Sequence, residues 1–481
     1  MKSTSYFFRT FFALVIAIAA FFLFKEILPK KIFSQKKITK NVIIDSLLLE
    51  AVAEARDSVV VEKDVAKQEK VIFKPTDGVV YPVEKFVEYK GFQYLIPFYE
   101  KLFQLENEKK GNVRIAYFGD SMTDGDLIVK DFRTHFQEKF GGKGVGFVNI
   151  TSESASSRSS LVHQFSNNWK MQSYLKVKKP VNPFGVNGHV FYANDTINNP
   201  WVSYKANNTK FATVLNRPTL FYGSSDNEDG EVYYIVNEDT IRKKLNPSNK
   251  LNTLRFTEAS LPSLKLYFKK ADSIPFYGFN FDDGQGVHVD NFSSRGNSGL
   301  PLSMFNRGMM TEFQKQLGYD LIVLHYGTNV LNYGSLNYSW YEKRMKIVTD
   351  HLKDCFPGVT ILVVSTADKS TKYDLEMKTD SAVVPLSTAQ KKYAIASEAG
   401  FVNLYTLMGG DGSMVKWVEE LPAKANKDYT HFNFRGAKEV AKLLYTQLDE
   451  GYAKYKKMKA KKKPVLKKDS IHKHDVSIHA Q

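Results

Sequence analysis

Between residues 85 and 452 the apolar positions form two kinds of run. Short, almost wholly apolar stretches bounded by glycine or polar residues recur at Val113–Phe118 (VRIAYF), Asp320–His325 (DLIVLH) and Val359–Ser365 (VTILVVS). That is the pattern of strands buried on both faces. Longer segments with helical spacing of apolar residues surround them: Phe92–Asn107, Met304–Leu317, Trp340–Cys355, Thr388–Ala399 and Phe434–Tyr452. Alternation of this kind predicts a doubly wound α/β sheet. Residues 155–285 break it with short stretches rich in Tyr, Phe, Val and Thr (HVFYAND, FATVLNR, TLFYGSS, EVYYIVN, SLKLYFKK), separated by Asn, Asp, Gly and Pro. They predict an antiparallel β-sandwich. The expected organisation is an α/β domain split into residues 85–154 and 286–452 around an all-β insert at 155–285.

The two ends read differently. Phe11–Phe24 (FFALVIAIAAFFLF) is unbroken by any polar residue and flanked by Lys2, Arg9, Lys25 and Glu26. It is short against the roughly 20 residues a spanning helix needs, but snorkelling by Arg9 and Lys25 extends it, so an uncleaved membrane anchor is expected. A cleaved signal peptide competes. Its small-x-small site, Ala17-Ile18-Ala19, lies inside the apolar run rather than after it, which favours the anchor. Residues 1–40 are thus read as anchor or signal segment, 41–84 as a stalk, and 453–481 as a basic disordered tail that could be drawn to an anionic surface.

Composition narrows the function classes. With 481 residues, 43% hydrophobic and 25% charged, the chain is neither disordered, collagenous nor a multi-span membrane protein. Cys355 alone supports no disulfide framework and no cysteine-based zinc site. The net charge of +16 lies almost entirely at the ends, +7 in residues 1–40 and +8 in residues 454–469. The near-neutral body between them gives no reason to expect nucleic-acid binding.

Three segments carry chemistry. The first strand runs into Gly119-Asp120-Ser121, placing a serine where open α/β sheets bind ligands; a helix starting directly after it would favour developing negative charge. His325-Tyr326-Gly327-Thr328-Asn329 ends a second strand, so the Asn329 amide should project over the same edge. Asp428-Tyr429-Thr430-His431 precedes the last helix and puts an acid three residues from a base. A serine nucleophile needs such a base, and the base an orienting partner.

A strand-end GDS, a later GTN and a terminal DxxH in this order resemble the SGNH (GDSL-type) hydrolase family. The family's remaining block, a glycine just after a strand, falls in VDNFSSRGNSG, residues 289–299. The resemblance implies an SGNH sheet with Ser121 as nucleophile, His431 as general base and Asp428 as its orienter. It implies an oxyanion hole built from the Ser121 amide, Gly296 and Asn329, with Gly299 as the alternative glycine in the same loop. The segment FGDSMTDGDLIVKDFRTHFQEKFGGKGVGFV is similar to the start of bacterial peptidoglycan O-acetylesterases of this type, which carry a β-sandwich, carbohydrate-binding-like insert at this point; Met122 departs from many of them. The resemblance therefore implies a serine esterase that removes O-acetyl groups from a cell-envelope polysaccharide such as peptidoglycan, without metal or organic cofactor. An O-acetyltransferase using the same acyl-serine, and a non-catalytic glycan-binding scaffold, are the alternatives. Expected partners are the acetylated polysaccharide and the membrane, with a membrane acyltransferase as a further candidate. The expected location is the bacterial cell envelope, anchored in the membrane with the catalytic domain in the periplasm.

Overall fold

Five strands, β1 (Asn112–Gly119), β2 (Gly286–Asn291), β3 (Tyr319–His325), β4 (Thr360–Val364) and β5 (Gly400–Val402), form a sheet in the order β2-β1-β3-β4-β5. The computed structural model that contains them describes residues 11–16, 45–57, 70–195, 197–236, 239–331, 333 and 336–461. All four strand pairs are parallel. β1, β3 and β4 are buried nearly throughout, because helices cover both faces. These include α2 (Ile96–Glu108), α3 (Val129–Phe140), α4 (Arg307–Leu317), α5 (Ser339–Cys355), α6 (Val383–Ala396) and α7 (Phe434–Ala460). The order reverses between β1 and β3, so the crevice for ligands lies beyond the carboxyl ends of those strands. β5 has only three residues, Gly-Phe-Val. That is too short for any hydrophobic period to announce it.

The insert is a two-layer antiparallel sandwich. One sheet pairs Asp239–Lys244, Glu231–Val236, Ser263–Lys269, Trp201–Ala206 and Leu161–Phe165 in that spatial order. The other contains Leu251–Arg255, Thr219–Gly223, Phe276–Asp282, His189–Tyr192 and Lys170–Ser173. Phe191, Tyr204, Phe268, Phe276, Phe279 and Phe281 belong to the buried core between them. The strand Gly144–Val148 also joins this second sheet, antiparallel to Phe276–Asp282, so the sandwich begins at residue 144 rather than 155. The run GGKGVG hides it from a propensity reading, yet the glycines are required. Gly144 sits at φ 102°, and a Cβ there would lie 1.9 Å from the Phe281 carbonyl oxygen.

A buried charge network ties the insert to the α/β sheet. Arg114 of β1 donates through Nε to Asp290 of β2 (2.7 Å), through Nη1 to Asp282 (2.6 Å) and through Nη2 to Asn280 (2.7 Å). The Phe147 amide and the Tyr319 hydroxyl also donate to Asp290, at 2.8 and 2.7 Å. Both carboxylates and the guanidinium are almost wholly buried, a state tolerable only when each charge is paired and hydrogen-bonded.

Residues 41–84 were expected to form a stalk, and their described parts pack on the body instead. Helix α1 (Ser46–Asp57) buries Leu48, Ala51 and Val52, and the short strands Lys70–Val71 and Glu84–Lys85 pair while Phe73, Val79 and Tyr81 are buried. The basic tail likewise begins later than residue 453. α7 runs to Ala460, with Tyr455 buried and Lys456 bonded to Glu106 of α2 at 2.9 Å. Of the apolar run 11–24, residues 11–16 are helical and exposed, and the rest lies outside the described residues. Among the described residues no helix is long and apolar enough to cross a membrane.

Candidate active site

Three neighbouring strands deliver the site. β1 ends at Gly119 and is followed by Asp120 and Ser121; β2 ends at Asn291 and leads into the loop 293–299; β3 ends at His325 and leads into Thr328 and Asn329. The loops interlock. Ser294 N donates to Gly119 O at 3.1 Å, Thr123 Oγ1 to Ser293 Oγ at 2.7 Å, and Asn291 Nδ2 to Thr123 O at 2.8 Å. No helix starts directly after Ser121, contrary to expectation. A turn and a single 3-10 turn intervene before α3, because Gly125 and Asp126 both take positive φ (68° and 67°). The N-terminus of α3 therefore does not supply the field at Ser121.

Asp428 and His431 come from the segment before α7. A bridge between Ala425 and Phe432 closes this loop, and Asn426 N donates to His431 O at 2.8 Å. Tyr429 lies in the left-handed region at φ 54°, which curls the chain so that Asp428 Oδ1 accepts from the amides of Thr430 (3.0 Å) and His431 (2.9 Å). Asn433 caps α7 by accepting from Gly436 N at 3.2 Å, and Gly436 allows the helix to meet the Lys424 carbonyl, 2.0 Å from where a Cβ would stand.

The result is a continuous chain of contacts. Ser121 Oγ is 3.0 Å from His431 Nε2, and His431 Nδ1 is 2.9 Å from Asp428 Oδ2. A carboxylate only accepts, so Nδ1 carries the proton and Nε2 is free to accept from the serine hydroxyl. Burial pushes the Asp428 carboxyl up, but hydrogen bonds from the His431 amide and ring and the Thr430 amide outweigh it and hold its pKa below the usual range. The side chains of His431 and Asp428 are 38% and 50% exposed. The site is open to solvent at the sheet edge.

The two glycines offered as alternatives differ in structure. Gly299 is buried, its amide donates to Asn297 Oδ1 at 2.9 Å, and a Cβ there would strike Tyr326 at 2.9 Å. It is committed to packing. Gly296 is only half-buried, at φ 79°. Asn329 Nδ2 donates to Asn297 O at 3.0 Å and reaches Asp120 Oδ2 at 3.4 Å, the second contact being long enough for another acceptor to displace. Met122 is buried, so the departure noted there falls on a core position.

Sequence reasoning missed Asp120 as a participant, although it lies inside the quoted GDS. It is wholly buried, and burial raises its pKa from 3.8 to about 6 against the Met122 amide, His431 and Thr328, which lower it. Its Oδ1 accepts from Met122 N at 2.9 Å while Oδ2 faces Asn329. Arg295, next to Gly296, was also passed over; its Nε donates to Asp124 at 2.8 Å at the exposed rim. Among the described residues no cluster of His, Cys, Asp and Glu suits a metal ion.

No family model and no curated protein matches the chain. Among solved structures, a peptidoglycan O-acetylesterase matches with a TM-score of 0.61 at 21% identity, over 74% of this chain and 96% of that one. A family two carbohydrate esterase from Cellvibrio japonicus matches with a TM-score of 0.25 (9% identity, 61% of this chain and 98% of that one). An acetyl xylan esterase matches with 0.27 (17% identity, 33% and 80%). Neither adds to the fold assignment, which rests on the first. The chain thus shares the fold of a peptidoglycan O-acetylesterase and resembles the SGNH-type hydrolases.

Proposed function

We propose that the protein is a serine esterase that removes O-acetyl groups from a cell-envelope polysaccharide such as peptidoglycan, through an acyl-serine intermediate. The observation that carries this reading is the Ser121–His431–Asp428 chain, at 3.0 and 2.9 Å, on the carboxyl edge of the sheet. His431 Nε2 takes the Ser121 proton as Oγ attacks the acetyl carbonyl. The oxyanion is held by the amides of Ser121 and Gly296 and by Asn329 Nδ2. Collapse expels the sugar hydroxyl, which receives the proton from His431, and water attacks the acyl-serine by the same route in reverse.

In this reading the insert holds polymer. Trp169 does not serve, since it packs in the core 4.9 Å from Phe268. Trp201 does. Tyr233, Tyr267 and Trp201 stand opposite one another on three adjacent strands, on the outward face, and Lys265 lies 4.8 Å from the Trp201 ring and 5.2 Å from the Tyr267 ring. Two strand spacings of about 4.8 Å separate the outer members, comparable to the length of a disaccharide. Residues 11–24 would anchor the chain in the membrane of a bacterial envelope with the catalytic domain in the periplasm, near its polymer and any membrane acyltransferase. The test is to supply O-acetylated peptidoglycan and measure free acetate against acetyl transferred to added glycan. Acetate release supports the esterase; transfer in excess of release favours the acetyltransferase; neither refutes both.

A further inference from the structure

The loop carrying Gly296 is tied to a residue far away in sequence. Asp45 is 3% exposed, and among the described residues no ion pair joins it. Its Oδ1 accepts from the amides of Leu47 and Leu48, both at 3.1 Å, and so caps the first turn of α1. Its Oδ2 accepts from Ser298 N at 3.0 Å and from the Ser298 hydroxyl. Tyr341 of α5 donates to Ser298 O at 2.7 Å. The neighbouring Asn297 is fixed on the other side, where its Nδ2 donates to Tyr174 at 2.9 Å and its carbonyl accepts the Asn329 amide at 3.0 Å. One carboxylate therefore joins α1 to the loop on which Asn329 rests.

A buried carboxylate without a cation is costly unless its oxygens are fully hydrogen-bonded. Capping a helix needs only one oxygen. The second is spent on Ser298, two residues from Gly296 and one from the carbonyl that orients Asn329. We infer that Asp45 is a positioning residue for the oxyanion hole, and that docking of α1, the segment following the N-terminal apolar run, completes the catalytic loop. The inference rests on the proposed roles of Gly296 and Asn329. Leu48, Ala51 and Val52 supply the apolar face that seats α1, and Glu54 pairs with Arg344 of α5.

The test uses the full chain and a small acetyl ester such as 4-nitrophenyl acetate. Asp45→Ala should lower kcat between tenfold and a hundredfold, the range for displaced catalytic groups, with KM within twofold. Asn329→Ala should lower kcat on its own, and adding Asp45→Ala to it should cost little more, because both act through the same amide. Loss of stability alone would not produce that non-additivity. If Asp45→Ala proves unfolded, Ser298→Ala, which removes one hydroxyl, should give a smaller kcat loss with the same non-additivity. The inference is overturned if Asp45→Ala lowers the melting temperature yet leaves kcat within twofold. It is also overturned if the Asp45 and Asn329 effects multiply fully, or, where Asp45→Ala does not fold, if Ser298→Ala leaves kcat unchanged. An unimpaired Asn329→Ala would overturn the oxyanion reading itself.

Discussion

Replacing Asp120 by asparagine should make the protein more stable and less active at once. The carboxyl is wholly buried, among the described residues no basic side chain is hydrogen-bonded to it, and its pKa rises from 3.8 to about 6. The folded state therefore holds the proton more tightly than the unfolded chain. Stability from this group is fully present below pH 3.8 and is lost as pH rises through about 6. At about 1.4 kcal/mol for each tenfold in proton affinity, the ionised group costs on the order of 3 kcal/mol at neutral pH. The amide variant is isosteric and escapes that cost, and its Oδ1 still accepts from Met122. Its single oxygen cannot serve Thr328 and Asn329 as well as Met122, and its Nδ2 sets donor against donor at Asn329, a penalty of about 2 kcal/mol at about 1 kcal/mol for each of two lost bonds, leaving a net gain of about 1 kcal/mol. The same clash pushes Asn329 out of place, so kcat should fall. Denaturant unfolding of both proteins from pH 4 to 8 reads the first effect, and acetyl ester hydrolysis the second. The variant's advantage should be widest above pH 6 and turn into a deficit toward pH 4, where the folded-state carboxyl is protonated and no longer carries that cost. A variant less stable at pH 7.5, or a gap that stays flat with pH, refutes the reasoning.

Other expectations follow from the same geometry. Asn329→Ala should reduce kcat by about 10²–10³ with little change in KM, as loss of one oxyanion donor does; steady-state kinetics with a small acetyl ester checks this. His431→Ala should be nearly as damaging to ester turnover as loss of Ser121, and Asp428→Asn less so, since the base remains but its orientation and charge support are weakened. Arg114→Leu leaves Asp282 and Asp290 buried without their counter-charge and should cost about 3–5 kcal/mol of unfolding free energy, read by denaturant titration. Trp201→Ala with Tyr267→Ala should lower kcat/KM on acetylated polymer severalfold and spare 4-nitrophenyl acetate; equal loss on both would remove the proposed role of the insert.

What could be read from sequence divides along physical lines. β1, β3 and β4 announce themselves because strands buried on both faces are continuously apolar, whereas Gly400–Val402 is too short and Gly144–Val148 is masked by glycines that close strand contact demands. Ser121, Asn329, Asp428 and His431 were legible as local motifs at element ends. Asp45 was not, because its meaning lies in Ser298, 253 residues away. The segment around it looked like a stalk for the same reason, since its apolar face has a partner only in the folded chain. Nothing in the sequence distinguishes Gly296 from Gly299, both glycines in one loop; in the fold Gly299 is buried against Tyr326 with its amide engaged, while Gly296 is half-buried.

The central claim is that an acetyl group passes through Ser121. Enzyme mixed with an acetyl ester, quenched in acid during turnover and mapped by peptide mass spectrometry, tests it directly. An added acetyl group is expected on the peptide containing Ser121, absent from that peptide in the Ser121→Ala variant, which should release no acetate. Acetate release by Ser121→Ala at the parent rate, with no acetyl on Ser121 in the parent, would contradict it.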